Sequence, residues 1–387
     1  MKDILAFLVL AFVLPCSPLL LAKEKGAEKP SADTHANNEH TNDGLPAKSL
    51  PTDGKKAQQE FDRILKEWKP LLFELRELRS EFNKAVNDEQ RKDIKRKYSE
   101  RIERGNELVP TLIKAAEQAY IAKPNENKEV LGFLVEIFDD SLRHDQLERA
   151  VHIGSLLADN DAPQKRIAAQ TGMIAFRMQD SDTAYKYLTM AKKNKVLSNK
   201  GELFLSELEI QKKEAEKDNL PRVELVTNKG KIVIELFEDQ APNTVANFIS
   251  LIEKGFYDGI IFHRVLPHFM AQGGDPTGTG SGGPGYSIEC ECYRPDHRLN
   301  FRGTISMAHA GRNTGGSQFF LNTEDNAHLD GKHTAFGRII EGMDVVDSLQ
   351  LRDPQSSPPL PEADKIISAK VLRKQDHPYE PKTLPGR

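Results

Sequence analysis

The spacing of apolar residues takes four successive forms along the chain. Residues 4–22, ILAFLVLAFVLPCSPLLLA, are apolar almost without a break, and residues 23–56 hold almost no large apolar side chain. From Phe61 the pattern turns helical. Phe61, Ile64, Leu65, Trp68, Leu71, Leu72, Leu75, Leu78 and Phe82 recur every three or four residues with charges between them, which predicts an amphipathic helix bent at Pro70. The stretch 88–104, DEQRKDIKRKYSERIER, keeps a thin apolar stripe under dense alternating charge and predicts a helix with a solvated face. Helical periods continue over 108–122, 128–140, 145–158, 163–178, 182–194 and 200–217, and no strand-like alternation precedes residue 222.

After Pro221 the period drops to two. RVELVTNKGKIVIELF, residues 222–237, alternates apolar and polar residues around Asn228-Lys229-Gly230, as a hairpin does. Residues 239–254 then place Val245, Phe248, Ile249 and Ile252 on one helical face, with Pro242 near the start. Short apolar runs between glycine turns follow, then a helix near 343–350 and a last strand over 365–372; the Pro-rich tail after Lys374 is expected to fray. The pattern predicts a multidomain α + β chain: an all-α helical array over 57–220, then an antiparallel barrel with helices over 221–373. A leader over 1–22, a disordered linker over 23–56 and a tail over 374–387 complete it.

The leader reads as a secretory signal, implying a periplasmic or secreted protein; a retained membrane anchor is the alternative, and a cytosolic chain the third reading. Cys16 follows Pro15, which does not suit lipidation, and His35 and His40 read as solvated tail residues. In the helical array Ala150 and Ala184 lie 34 residues apart, with Gly172, Leu188 and Ala191 where small residues let antiparallel helices approach. This resembles a tetratricopeptide helix pair, although Gly154 and Leu157 do not match Leu188 and Ala191, and a generic array of helical hairpins fits equally. Either form would offer a face to a protein partner. Lys plus Arg 54 against Asp plus Glu 58 leaves a net charge of −4, so no basic field gathers nucleic acid. Three cysteines make no disulfide scaffold.

Three segments then carry a dense resemblance. FHRVLPHFMAQGGD (262–275), GTISMAHAGRNTGGSQFFL (303–321) and HLDGKHTAFGRI (328–339) resemble, in order and at compatible spacing, the signature segments of the cyclophilin peptidyl-prolyl isomerases. The resemblance covers about residues 222–372. It implies an eight-stranded antiparallel β-barrel capped by two helices, with its active face outside, that accelerates cis/trans exchange of X-Pro bonds in folding polypeptides. The X-Pro bond prefers trans by only about 0.5–1 kcal/mol, but resonance sets a barrier of roughly 18–20 kcal/mol between the isomers. Breaking resonance calls for no nucleophile, metal or cofactor. A cation donating toward the prolyl nitrogen would suffice, and by resemblance Arg264 has that catalytic role. Phe269, Met270, Phe320 and Leu329 are implied to line the proline socket. Gln272 and Gln318 match amide donors, Ala308, His309 and Ala310 match a stretch that meets the substrate backbone, and His263 and His333 complete the rim. His328 stands where many members have Trp.

Cys290-Glu291-Cys292 with His297 leaves three readings: metal ligands, an exposed or redox-active pair, or plain loop or strand residues. The spacing is not a standard zinc pattern, and it strains a direct disulfide. The run GGDPTGTGSGGPGY, residues 273–286, lacks the Lys-Ser/Thr of a phosphate cradle and predicts a turn-rich loop. The rival to an isomerase is a binding module whose barrel grips Pro-containing segments while the helical array assembles a complex, with turnover incidental.

Overall fold

Side-chain caps set the helix starts in the computed structural model, which describes residues 53–385. Asp53 accepts from Lys55 N at the head of α1 (Gly54–Lys84), and Asn87 accepts from Gln90 N at the head of α2 (Asp88–Ala122). Asn127 caps α3 (Lys128–Arg143) in the same way. Then come α4 (Leu147–Asp159), α5 (Arg166–Arg177), α6 (Ser181–Lys193), capped by Asp180, and α7 (Asn199–Lys217). The expected leader lies outside the described residues, as does most of the linker; residues 54–56, assigned to the linker, open α1.

The chain divides into two units, Met1–Ser206 and Glu207–Arg387. In the first, the runs expected at 88–104 and 108–122 form one helix, α2, with Pro110 inside it. The lost backbone hydrogen bond is offset by an unbroken buried stripe of Leu108, Leu112, Ala115, Ala116 and Ala119. Charges of the 88–104 stretch lace α2 to α1: Arg101 pairs with Glu74 at 2.5 Å, and Arg104 pairs with Glu67. From α4 to α6 the backbone repeats. Asp145 and Gln179, then Asp161 and Lys195, are left-handed residues 34 positions apart, with φ of 55°, 63°, 54° and 58°. The buried set Ala150, Ile153, Gly154 and Leu157 of α4 recurs in α6 as Ala184, Tyr187, Leu188 and Ala191. Burial thus keeps a period that residue identity obscures. Among the described residues no helix is long and apolar enough to cross a membrane.

The second unit begins within α7, whereas the hydrophobic period changes at Pro221. The reason is electrostatic: Glu207 and Glu214 of α7 are tied to Arg298, and Glu214 also to Arg338. The strands are β1 (Arg222–Thr227), β2 (Gly230–Leu236), β3 (Arg264–Leu266), β4 (Met270–Gly273), β5 (Tyr286–Ile288), β6 (Thr304–Met307), β7 (Phe319–Asn322), β8 (Ala335–Glu341), β9 (Ile366–Arg373) and β10 (Thr383–Pro385). Eight of them form an antiparallel sheet in the order β3-β4-β7-β6-β8-β2-β1-β9. It curls as a half-barrel, the eight-stranded antiparallel arrangement expected. β3 is only three residues long, and its edge meets the other end of the sheet at isolated bridges, Ile261 with Lys365 and Val265 with Arg352.

Two helices, α8 (Pro242–Glu253) and α9 (Met343–Asp347), complete the unit. Phe248 of α8 packs at the centre of the core, with ring centroids 5.1 Å from Tyr257, 5.5 Å from Phe319 and 5.2 Å from Phe336. The tail after Lys374 does not fray. Tyr379 is buried and its hydroxyl donates to Glu238 at 3.1 Å, Lys382 N donates to Asn243 at 2.7 Å, and β10 pairs with β5.

Candidate active site

Successive residues of a strand point to opposite faces, and residues directly opposite across a ladder share a face. The ladders pair Arg264 with Gln272, Gln272 with Phe320, and Phe320 with Ser306. These four side chains stand in one row across β3, β4, β7 and β6. Their neighbours Val265, Ala271, Phe319, Leu321 and Ile305 belong to the core, so the row lies on the outer face, with Met270 on the same side.

A groove of about 940 Å³ follows that row. Arg264, Phe269, Met270, Gln272, Ala308, His309, Ala310, Gln318, Phe320, Leu329 and His333 line it, so the register gathers eleven of the thirteen residues named from sequence. Met270 and Phe320, only 2% and 4% exposed, make an apolar floor although they face away from the core. Arg264 stands at its edge with its guanidinium 5.8 Å from the Phe269 ring. Among the described residues no carboxylate pairs with Arg264, which leaves its charge and N–H groups for a ligand.

The two residues outside the groove differ from each other. His328 stacks on the outer ring of the site, its centroid 5.5 Å from that of Phe269. His263 is not on the rim. It directly precedes β3, and the alternation that turns Arg264 outward buries His263, to 4% exposure. Burial pushes its pKa down, and its Nδ1 has no hydrogen-bond partner among the described residues.

The glutamines are braces as much as donors. Gln318 Nε2 donates to the carbonyls of Gly280 (3.0 Å) and Gly282 (2.9 Å), while Gln272 Nε2 donates to Gln318 Oε1 at 3.0 Å. The Gln272 amide oxygen keeps its capacity to accept. The loop that Gln318 holds is organised on Asp275, which sequence reasoning passed over. This carboxylate, 1% exposed, accepts from Thr277 N at 2.7 Å, Thr277 Oγ1 at 2.8 Å and Gly280 N at 2.5 Å. Burial, the largest influence, pushes its pKa up, but those donors outweigh it and hold the carboxyl below its ordinary value. A side chain at Gly282 would come within 2.1 Å of Asp275 Oδ1. The Asp-Pro-Thr-Gly turn was the available signal for this residue.

On the opposite wall, His309 Nε2 donates to Lys332 O at 2.7 Å and its ring stacks on His333 at 4.2 Å. His333 donates from Nδ1 to Met307 O at 3.0 Å and packs edge-on to Phe320. Burial pushes the His333 pKa down, while the neighbouring Cys290 thiol raises that of His309, whose Nδ1 accepts from Gly311 N at 3.2 Å. Among the described residues no group of three or more His, Cys, Asp or Glu is placed to hold a metal. His297 instead turns Nδ1 to Arg294 O at 2.8 Å.

Comparison with known proteins matches residues 222–371 to the family model "Cyclophilin type peptidyl-prolyl cis-trans isomerase/CLD". A peptidyl-prolyl cis-trans isomerase of Synechococcus elongatus is 52% identical over 150 residues, covering 38% of this chain and 94% of that protein. Peptidyl-prolyl cis-trans isomerase B of Bacillus subtilis is 50% identical over 129 residues, 33% of this chain and 90% of that protein. A solved cyclophilin type isomerase of Cryptosporidium parvum, crystallised in the presence of the dipeptide Ala-Pro, is 33% identical; the match covers 40% of this chain and 99% of that one, with a TM-score of 0.36.

Proposed function

This chain belongs to the cyclophilin-type peptidyl-prolyl cis-trans isomerases and acts on proline-containing peptides; from that premise we propose that Arg264 is its catalytic residue. The observation that carries the assignment is an arginine that, among the described residues, has no carboxylate partner and stands at the edge of an apolar floor. As an X-Pro amide twists, resonance is lost and the nitrogen lone pair localises. An N–H of Arg264 aimed at that nitrogen stabilises the twisted state more than the planar one, which is what lowers a barrier. The floor of Phe269, Met270, Phe320 and Leu329 holds the proline ring and excludes water, so the hydrogen bond forms in a low dielectric. Gln272 Oε1 accepts an N–H of the peptide, fixing one side of the bond while the other rotates. Lowering the barrier by about 5 kcal/mol would speed exchange several thousandfold.

A protease-coupled isomerisation assay on Arg264→Ala tests the assignment. The expected result is a kcat/KM lower by about 10²–10³-fold, the scale for removing one preorganised donor from a reacting centre. Unchanged turnover would overturn it and favour the binding-module reading.

The helical unit is read as a protein-docking array of tetratricopeptide type. The 34-residue recurrence of left-handed turns and buried positions supports that reading. The apolar leader supports export, which the mass of the mature N-terminus checks.

A further inference from the structure

The family match ends at residue 371, yet the chain goes on to fasten a further segment, residues 375–385, onto the same unit. It is held along its whole length. Gln375 N donates to the Tyr379 hydroxyl at 3.0 Å, Tyr379 packs into the core at 6% exposure, and His377 Nε2 pairs with Glu238 at 2.8 Å. Asn243 of α8 then clamps Lys382. Its Nδ2 donates to Lys382 O at 3.1 Å and its Oδ1 accepts from Lys382 N at 2.7 Å. Beyond the clamp runs β10, in register with β5: Thr383 opposite Ile288, Leu384 opposite Ser287 and Pro385 opposite Tyr286.

β5 is a wall of the groove, since Tyr286 and Ser287 both line it. It lies outside the eight-stranded sheet, however, and among the described residues its one ladder is the pairing with β10. Its other edge has an isolated bridge, Ile288 N to Gly315 O at 2.8 Å. Asn247 of α8 ties the two sides of this wall together, donating from Nδ2 to Gly316 O at 2.7 Å and accepting from the Tyr286 hydroxyl at 2.8 Å. One helix thus holds the tail at Asn243 and the wall at Asn247. A three-residue strand gains too little from one bridge to offset the entropy of ordering it, so its place depends on β10. From this geometry we propose that the C-terminal segment is a strap that positions the β5 wall, and through it the grip on peptide beyond the proline. The proposal rests on the groove being the isomerase site. The end of the groove that the strap backs, residues 280–287 with Thr314 and Gly316, has no charged lining residue, so it suits an extended peptide stretch with small, uncharged side chains. Contacts made there before and during rotation alike lower KM and leave kcat unchanged.

The ladder supplies a matched pair of variants. Because Ile288 turns its N–H to Gly315, alternation turns Ser287 toward β10, and Leu384 opposite it carries a ladder N–H while that of Thr383 points away. Leu384→Pro therefore breaks the pairing, and Thr383→Pro spares it. Both are made in the full chain, with Asn243→Ala as a third variant that opens the clamp on Lys382. The substrates are a blocked Ala-Pro dipeptide and a peptide extended on both sides of the proline, with exchange followed by NMR over a range of concentrations. Leu384→Pro should raise KM for the extended peptide by about tenfold with kcat held, and leave the dipeptide unaffected. Asn243→Ala should move KM the same way by less, and Thr383→Pro should change neither substrate. An unmoved KM in Leu384→Pro and Asn243→Ala would overturn the proposal, as would an equal loss with both substrates, the mark of a merely structural role. A KM that falls would make the tail a competitor for the groove, which is the opposite of the role assigned here. Arg264→Ala lowers kcat with both substrates if that residue is catalytic, whereas the strap variants move KM with one, so either reading can fail while the other stands.

Discussion

Arg104 in the helical unit and Arg298 in the sheet unit are both paired with glutamate, Arg104 with Glu67 and Arg298 with Glu207. The first pair keeps 49% and 39% of its side-chain exposure, the second 2% and 8%. Around Arg298 the pairing extends inward: Glu214 reaches it at 2.5 Å, Arg338 bridges Glu214 at 2.6 Å and Glu235 at 2.5 Å, and the Phe237 ring lies 3.8 Å from the Arg298 guanidinium. Around Arg104 the second partner, Glu107 at 2.7 Å, is itself exposed. The same two residue types thus do different physical work. In water an ion pair gains little over hydration, whereas in the interior each charge has only its partners to replace the solvent it gave up.

The two units can be watched separately. Trp68 is the single tryptophan and belongs to the helical unit, so its fluorescence reports that unit, while isomerase activity reports the sheet unit. Arg298→Ala should have the largest effect, about 3–5 kcal/mol of stability, because it strands buried Glu207. It appears as activity lost at lower denaturant while the Trp68 transition stays in place; equal shifts in both would break the comparison. The pH dependence sharpens it. Burial, the largest influence, raises the Glu207 pKa, but Arg298 overrides it, so the folded value lies below the ordinary one. A depressed carboxylate contributes stability that is complete above its unfolded pKa, about 4.3, and is lost as the pH falls through the folded value. Acid titration should therefore cost the sheet unit this increment in the wild type and not in Arg298→Ala.

Gly172→Ala should come next. The added carbon would lie 2.8 Å from the backbone nitrogen of Leu188, forcing α5 from α6. A cost of about 1–3 kcal/mol in the Trp68 transition is expected, with kcat/KM unchanged. Arg104→Ala should do least, under about 1 kcal/mol by the same fluorescence. A larger loss there would mean the exposed lacing of α1 and α2 carries weight that its hydration argues against.

The difference between units also explains what could be read from sequence. Hairpin β1–β2, helix α8 and the outward row led by Arg264 were legible because each depends on neighbours within a few residues or on motifs long enough to fix register. What escaped depends on distant partners. β10 finds β5 almost a hundred residues away, so its Pro-rich sequence looked like a fraying tail. The faces of His263 and Arg264 are settled only once β3 is paired, and a motif read as a string placed both at the site, His263 on its rim. Glu207 sat in an ordinary charged helical run, and nothing in that run told of Arg298. The period of α4 and α6 was faint in residue type but clear in burial, since the interface asks for a buried position and not one residue.

The outward row has a consequence for how such a protein can change. Arg264, Gln272 and Phe320 alternate with Val265, Ala271 and Leu321, so residues that line the outer groove and residues that fill the core share strands yet take opposite faces. Mutations that explore new peptide sequences on the outer face would leave the interior packing intact, and drift in the interior need not disturb recognition. The sheet keeps two inheritable records on one backbone, and each can be rewritten without erasing the other.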